Sequence, residues 1–80
     1  MFRERVFNNV QDIFRDIFDD KGLLIADNTT AADIEDWDSL NHINLISAIE
    51  KEFNIRFALG ELESLKDVGA MIELILEKQK

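Results

Sequence analysis

The stretch DWDSLNHINLISAIEKEFN, residues 36–54, decides how this chain is read. Within it Leu40, Ile43, Ile46, Ile49 and Phe53 recur at steps of three and four, with Leu45 broadening the face. That spacing predicts an amphipathic helix. Asp38 stands where an N-cap belongs and Asn54 where the helix would stop. Ser39 then falls at or next to the helix N-terminus. There, unpaired N–H groups and the positive end of the helix dipole favour an attached phosphate. Leu40 is expected to point into the core and so hold the serine outward.

Working outward, Phe2, Val6, Val10, Ile13, Phe14, Ile17 and Phe18 form an apolar stripe at helical spacing, with Gly22 placed to end that helix or the turn after it. On the C-terminal side Val68, Met71, Ile72, Ile75 and Leu76 predict a last helix with Asp67 as its N-cap. Ile55 and Phe57 alternate like a strand but have no partner strand, so 55–59 reads as a connector with inward-pointing apolar residues. Residues 60–65 can form a helix of one or two turns. Segment 19–38 lacks a confident helix, and a loop of that length in a small domain tends to signal function. Leu23, Leu24, Ile25, Ile34 and Trp37 are expected to pin it to the core. The architecture that follows is a single domain over 1–80, an all-α four-helix bundle of three longer helices and one short one.

Eighty residues suffice for one such core. Cysteine is absent, so no disulfide and no thiolate nucleophile or ligand is available, which suits a reducing compartment. The longest apolar run is Leu23-Leu24-Ile25-Ala26, far short of a membrane span, and the chain reads as soluble, cytoplasmic and not membrane-inserted. The formal net charge is −8, and residues 19–38 alone carry seven acids against Lys21. Such a surface repels phosphate backbones, which argues against nucleic-acid binding. It steers association with basic protein partners instead.

Asp38-Ser39-Leu40, the run Glu50-Lys51-Glu52-Phe53-Asn54-Ile55 and the later Leu65-Lys66-Asp67-Val68 together resemble the acyl carrier protein family. Asp-Ser-Leu alone is a weak tripeptide, but in an acidic chain of this length and helical order the combination is specific. The resemblance covers nearly the whole chain. It implies that a phosphopantetheinyl transferase, using Mg²⁺, moves phosphopantetheine from coenzyme A onto Ser39, with Asp38 capping the helix or helping to orient the metal and nucleotide. The arm's thiol would hold an acyl or aminoacyl group as a thioester, loaded by a ligase and passed to acyl-transfer enzymes. Docking is implied along the second helix and the loop before it, at Trp37, Asn41, His42, Asn44 and Glu50. An acyl pocket is implied at Ile43, Ile49, Phe57, Leu62 and Leu65. The large Phe57 and Leu62 point to a filled pocket and a short or polar cargo. Many fatty-acid carriers bear acids where this chain has Asn41, Asn44 and Lys51, and a Gly where it has Asp36. These departures favour a specialised pathway, and the few residues outside the predicted helices lead us to expect a free-standing, monomeric carrier.

Other readings of the same residues are weaker. Asp38, Ser39 and His42 on one exposed helix start cannot supply the layered base, buried acid and oxyanion hole of a hydrolase. No catalytic residue is therefore assigned. Trp37 is either a core anchor for the loop or a partly exposed docking aromatic. Asp33, Glu35, Asp36 and Asp38 lack the spacing of a calcium loop, so no metal site is assigned. A helical interaction module without a prosthetic group stays open as the alternative function. It would tolerate Ser39→Ala, whereas a carrier needs the hydroxyl.

Overall fold

Val6, Val10 and Phe14 follow one another at four-residue steps, and the helix they form, α1 (Arg3–Ile17), lays all three on one fully buried line. They belong to a computed structural model that describes residues 2–62 and 65–79, without the side chains of Leu59 and Leu62. Helix α1 ends at a left-handed residue, Asp19 (φ 50°), and Gly22 falls in the turn that follows, the second of the two places expected for it. Aspartate tolerates this conformation because its short carboxylate can satisfy local backbone donors. Asp20 shows the same chemistry by accepting from the Gly22 amide at 3.1 Å.

Helix α2 (Ser39–Phe53) starts at an N-cap, Asp38, whose Oδ1 accepts the Asn41 amide at 2.8 Å. It stops at Asn54, which is left-handed (φ 54°) and donates its amide to the Glu50 carbonyl. Helix α3 is the single turn Leu59–Leu62, and α4 (Val68–Lys78) is capped by Asp67, which accepts the Ala70 amide at 2.8 Å. Helix α1 packs against both α2 and α4. Phe14, Leu45, Ile49, Met71, Ile72 and Ile75 fill the space between them with no exposure. Each such side chain contributes about 1.5–3 kcal/mol on burial. Among the described residues there is no strand, and 55–58 is an irregular connector with Ile55 and Phe57 half-buried, in line with the sequence reading.

The long loop is held by backbone as much as by apolar contact. Ile25, Ile34 and Trp37 are buried, but Leu24 stands exposed and pins nothing. Arg15 Nε donates to the Leu23 carbonyl at 2.8 Å, and Gln11 Oε1 accepts the Ile25 amide at 3.0 Å, so α1 grips the loop with polar side chains. The loop in turn serves α4. The carbonyls of Asp27 and Thr29 accept the amides of Gly69 (2.8 Å) and Val68 (3.0 Å), two of the donors a helix start leaves unpaired. Arg3 bridges Asp27 and Glu73 and closes that corner. At the far end Lys78 pairs with Glu61 at 2.7 Å, tying α4 to α3.

Candidate functional site

Asp38 takes the N-cap, so Ser39 becomes the first helical residue of α2 rather than its cap. Its side chain is exposed, and its hydroxyl has no hydrogen-bond partner among the described residues. A capping serine would have spent that oxygen on a backbone N–H. The local chain is further set by Asn41, whose Nδ2 donates to the Asp36 carbonyl at 2.8 Å and folds the loop end back over the helix start. Beside the serine lies an open groove of about 320 Å³, lined by Ala31, Trp37, Asp38, Ser39, His42, Leu65 and Lys66. Two walls meet there, the mouth of α2 and the segment that leads into α4.

Trp37 is a core residue, 7 % exposed, and this settles the choice left open above against a docking aromatic. Its ring meets Phe14 edge to face at 5.2 Å and Phe18 at 6.4 Å. Its Nε1 donates to His42 Nδ1 at 3.0 Å, and the two rings lie edge to edge within 25° of one plane, with centroids 6.0 Å apart. Burial of the imidazole lowers the His42 pKa below its ordinary value.

Two apolar residues point the other way from what was expected. Leu40 is 68 % exposed and Ile43 62 %. Leu40 precedes the fully buried Ile49 by nine residues, about two and a half turns, which puts it on the opposite side of the helix. A run of strict three-residue steps falls short of a full turn each time, so 40, 43, 46 and 49 walk around the cylinder. The buried face of α2 is Leu45, Ile46, Ile49 and Phe53. Leu40 therefore does not hold Ser39 outward from within the core, and Ile43 does not line an interior pocket.

The remaining residues divide. Asn44 is exposed on α2, and Asn41 and His42 are half-buried. The half-buried Glu50 accepts the Phe57 amide through Oε2 at 2.9 Å and so braces the connector. Ile49 is fully buried, Leu65 nearly so, and Phe57 lies half-buried with the Lys78 ammonium 5.8 Å from its ring centroid. The Leu62 side chain lies outside the described residues. Lys66 also walls the groove, although nothing in its sequence neighbourhood brings it to Ser39. Likewise, only the five-residue separation of Trp37 and His42 hinted at their contact.

The phosphopantetheine attachment site family matches residues 8–75. Among curated proteins, the chain is 30 % identical over 79 residues to the acyl carrier protein of Lactobacillus acidophilus, covering 99 % of both chains. It is 29 % identical to that of Saccharopolyspora erythraea, covering 96 % of this chain and 81 % of the other. Among solved structures it is similar to the holo acyl carrier protein of Geobacter metallireducens. That likeness has a TM-score of 0.87 and 43 % identity over 92 % of this chain and 85 % of that one. With its helical bundle, its exposed serine at a helix mouth and these relatives, the chain belongs to the acyl carrier protein family, whose prosthetic group is covalently attached 4'-phosphopantetheine.

Proposed function

We propose that Ser39 takes the phosphopantetheine arm and that the chain, as one non-catalytic carrier domain, presents acyl or aminoacyl thioesters to other enzymes. The observation that carries this reading is the division of labour at the start of α2. Asp38 satisfies the helix end, and the Ser39 hydroxyl is left exposed and unpaired beside a groove. In the transfer, Ser39 Oγ forms a bond to the phosphorus nearer the pantetheine of coenzyme A. The pyrophosphate bond breaks, adenosine bisphosphate leaves, and the hydroxyl proton is released. When attached, the arm supplies a thiol for thioester formation. The protein's own residues orient its first bonds and give partners a surface.

That surface is the outer side of α2, where Leu40, Ile43 and Asn44 are exposed next to the serine. Partners include a phosphopantetheinyl transferase, a loading ligase and acyl-transfer enzymes, working in the cytoplasm. Neutral Asn41 and Asn44 and cationic Lys51 replace acids on this face, which favours a specialised lipid, polysaccharide or secondary-metabolite pathway over bulk fatty-acid synthesis. Exposed ion pairs are worth up to about 1 kcal/mol each, enough for three of them to change partner choice.

The test is intact-protein mass spectrometry after incubation with a transferase of broad specificity, Mg²⁺ and coenzyme A, with Ser39→Ala alongside. A gain of one phosphopantetheine on wild type only is expected. No gain on folded wild type with several transferases would instead favour the interaction module. Acids introduced at Asn41, Asn44 and Lys51 should raise turnover by fatty-acid enzymes, and unchanged turnover would remove the argument for a specialised pathway.

A further inference from the structure

The groove beside Ser39 contains a hydrogen-bonded pair that arm attachment by itself does not require. An indole N–H can only donate, so Nδ1 of His42, 3.0 Å from Trp37 Nε1, is the acceptor. A neutral imidazole carries one N–H, so its proton resides on Nε2. The two rings lie within 25° of one plane, so the hydrogen bond sets the imidazole plane as well. Trp37 is itself locked between Phe14 and Phe18, so the reference for His42 is the core of the bundle. His42 Nε2 has no partner among the described residues, yet His42 lines the same groove as Ser39.

We propose that His42, held by Trp37 as the Nε2–H tautomer, is a positioning residue that donates a hydrogen bond to the phosphodiester of the arm on Ser39. This rests on the attachment proposed above. Residues three apart on a helix have Cβ atoms about 5–6 Å apart, within reach of a phosphate extended from the serine oxygen. The phosphodiester adds an anion to a chain of net charge −8, directly beside Asp38. A fixed donor offsets that repulsion at one oxygen, and Lys66 lines the same groove. The two Trp37 contacts thus hand the orientation of the core to the first bonds of the arm. Those bonds then run along the groove rather than free into water.

The experiment uses protein labelled with ¹⁵N-histidine, compared before and after loading with coenzyme A and a transferase, with the mass of each sample recorded. On loading, the Nε2 resonance should move while Nδ1, held by Trp37, stays in place. The ³¹P resonance of the loaded protein should shift away from its position in urea. His42→Gln, which keeps an N–H donor, should retain that ³¹P shift, and His42→Phe, which keeps a flat ring without a donor, should lose it. Trp37→Phe should lose it too while His42 is still present, with the two imidazole nitrogens averaging. An Nε2 resonance and a ³¹P shift indifferent to loading and to His42→Phe would overturn the role of His42. The wild-type Nε2 comparison decides this even if a variant fails to fold. A wild type that gains no mass would instead overturn the arm at Ser39, and this inference with it.

Discussion

Gly69 donates its amide to the carbonyl of Asp27 at 2.8 Å, and a Cβ on Gly69 would come within 3.0 Å of that same oxygen and 3.2 Å of the Asp27 Cβ. The start of α4 and the long loop are therefore in backbone contact, and the residue between them has to be small. The loop that ends at Ser39 is tied at its midpoint to a helix far away in sequence.

Gly69→Ala should destabilise the protein. The Asp27 backbone would have to retreat, at a cost of about 1–3 kcal/mol for overpacking, against a helix-propensity gain of about 1 kcal/mol. Gly60→Ala is the matched control, since a Cβ there meets nothing within 4 Å. Urea unfolding of the two should separate them. Equal midpoints would show that the loop yields freely.

Asp38→Ala should lose about 1 kcal/mol by removing the N-cap of α2, whereas Asp38→Asn should lose little because its oxygen can still accept the Asn41 amide. Thermal unfolding of the two variants checks this. A loss of loading by the transferase in Asp38→Asn, at full stability, would assign the carboxylate a second role in modification.

Acid should weaken the fold through His42. Burial places its folded-state pKa below the ordinary value of 6.5. The unfolded chain then takes up the proton first as pH falls. The contribution is complete above about 6.5, the unfolded value, and is lost as pH drops through the folded one. Protonation also removes the acceptor that Nδ1 offers Trp37. The melting temperature of wild type, relative to His42→Gln, should fall as the pH drops below about 6.5, with Trp37 fluorescence changing over the same range. Glu61, whose pKa is lowered chiefly by the Ala58 amide and then by Lys78, would lose its contribution only below its ordinary 4.5. A parallel pH dependence in wild type and variant would assign the effect to other groups.

Glu50→Ala should free the Phe57 amide and loosen the connector after α2, at about 1 kcal/mol for a partly buried hydrogen bond. Glu50→Gln, which keeps an acceptor, should not. Hydrogen exchange at Phe57 is the direct readout, with faster exchange expected in the alanine variant alone.

The division between what was readable in the chain and what was not follows from the range of each interaction. The caps Asp38 and Asp67, the stop at Asn54, the three long helices and Ser39 at a helix mouth are all decided within a few residues. Hydrogen bonds between a side chain and an amide three positions on are written directly in the spacing. The resemblance to acyl carrier proteins was carried by the same local motifs. The face of α2 was misjudged at Leu40 and Ile43, because steps of three satisfy a periodicity count while drifting around the helix. Only contact with α1 and the core it builds selects which drift is buried. Gly22 falls in the turn after α1, one of the two places its position in the sequence allowed, while Asp19 is the left-handed residue at the helix end. The groove itself was not legible. It joins Lys66 and Leu65 to Ser39 and His42 across more than twenty residues, and it exists because the loop carbonyls of Asp27 and Thr29 dock on the start of α4. Local hydrogen bonding thus decided the helices and the exposed serine at the mouth of α2. Long-range packing decided what surrounds that serine, since burial depends on which surfaces meet and not on their order in the chain.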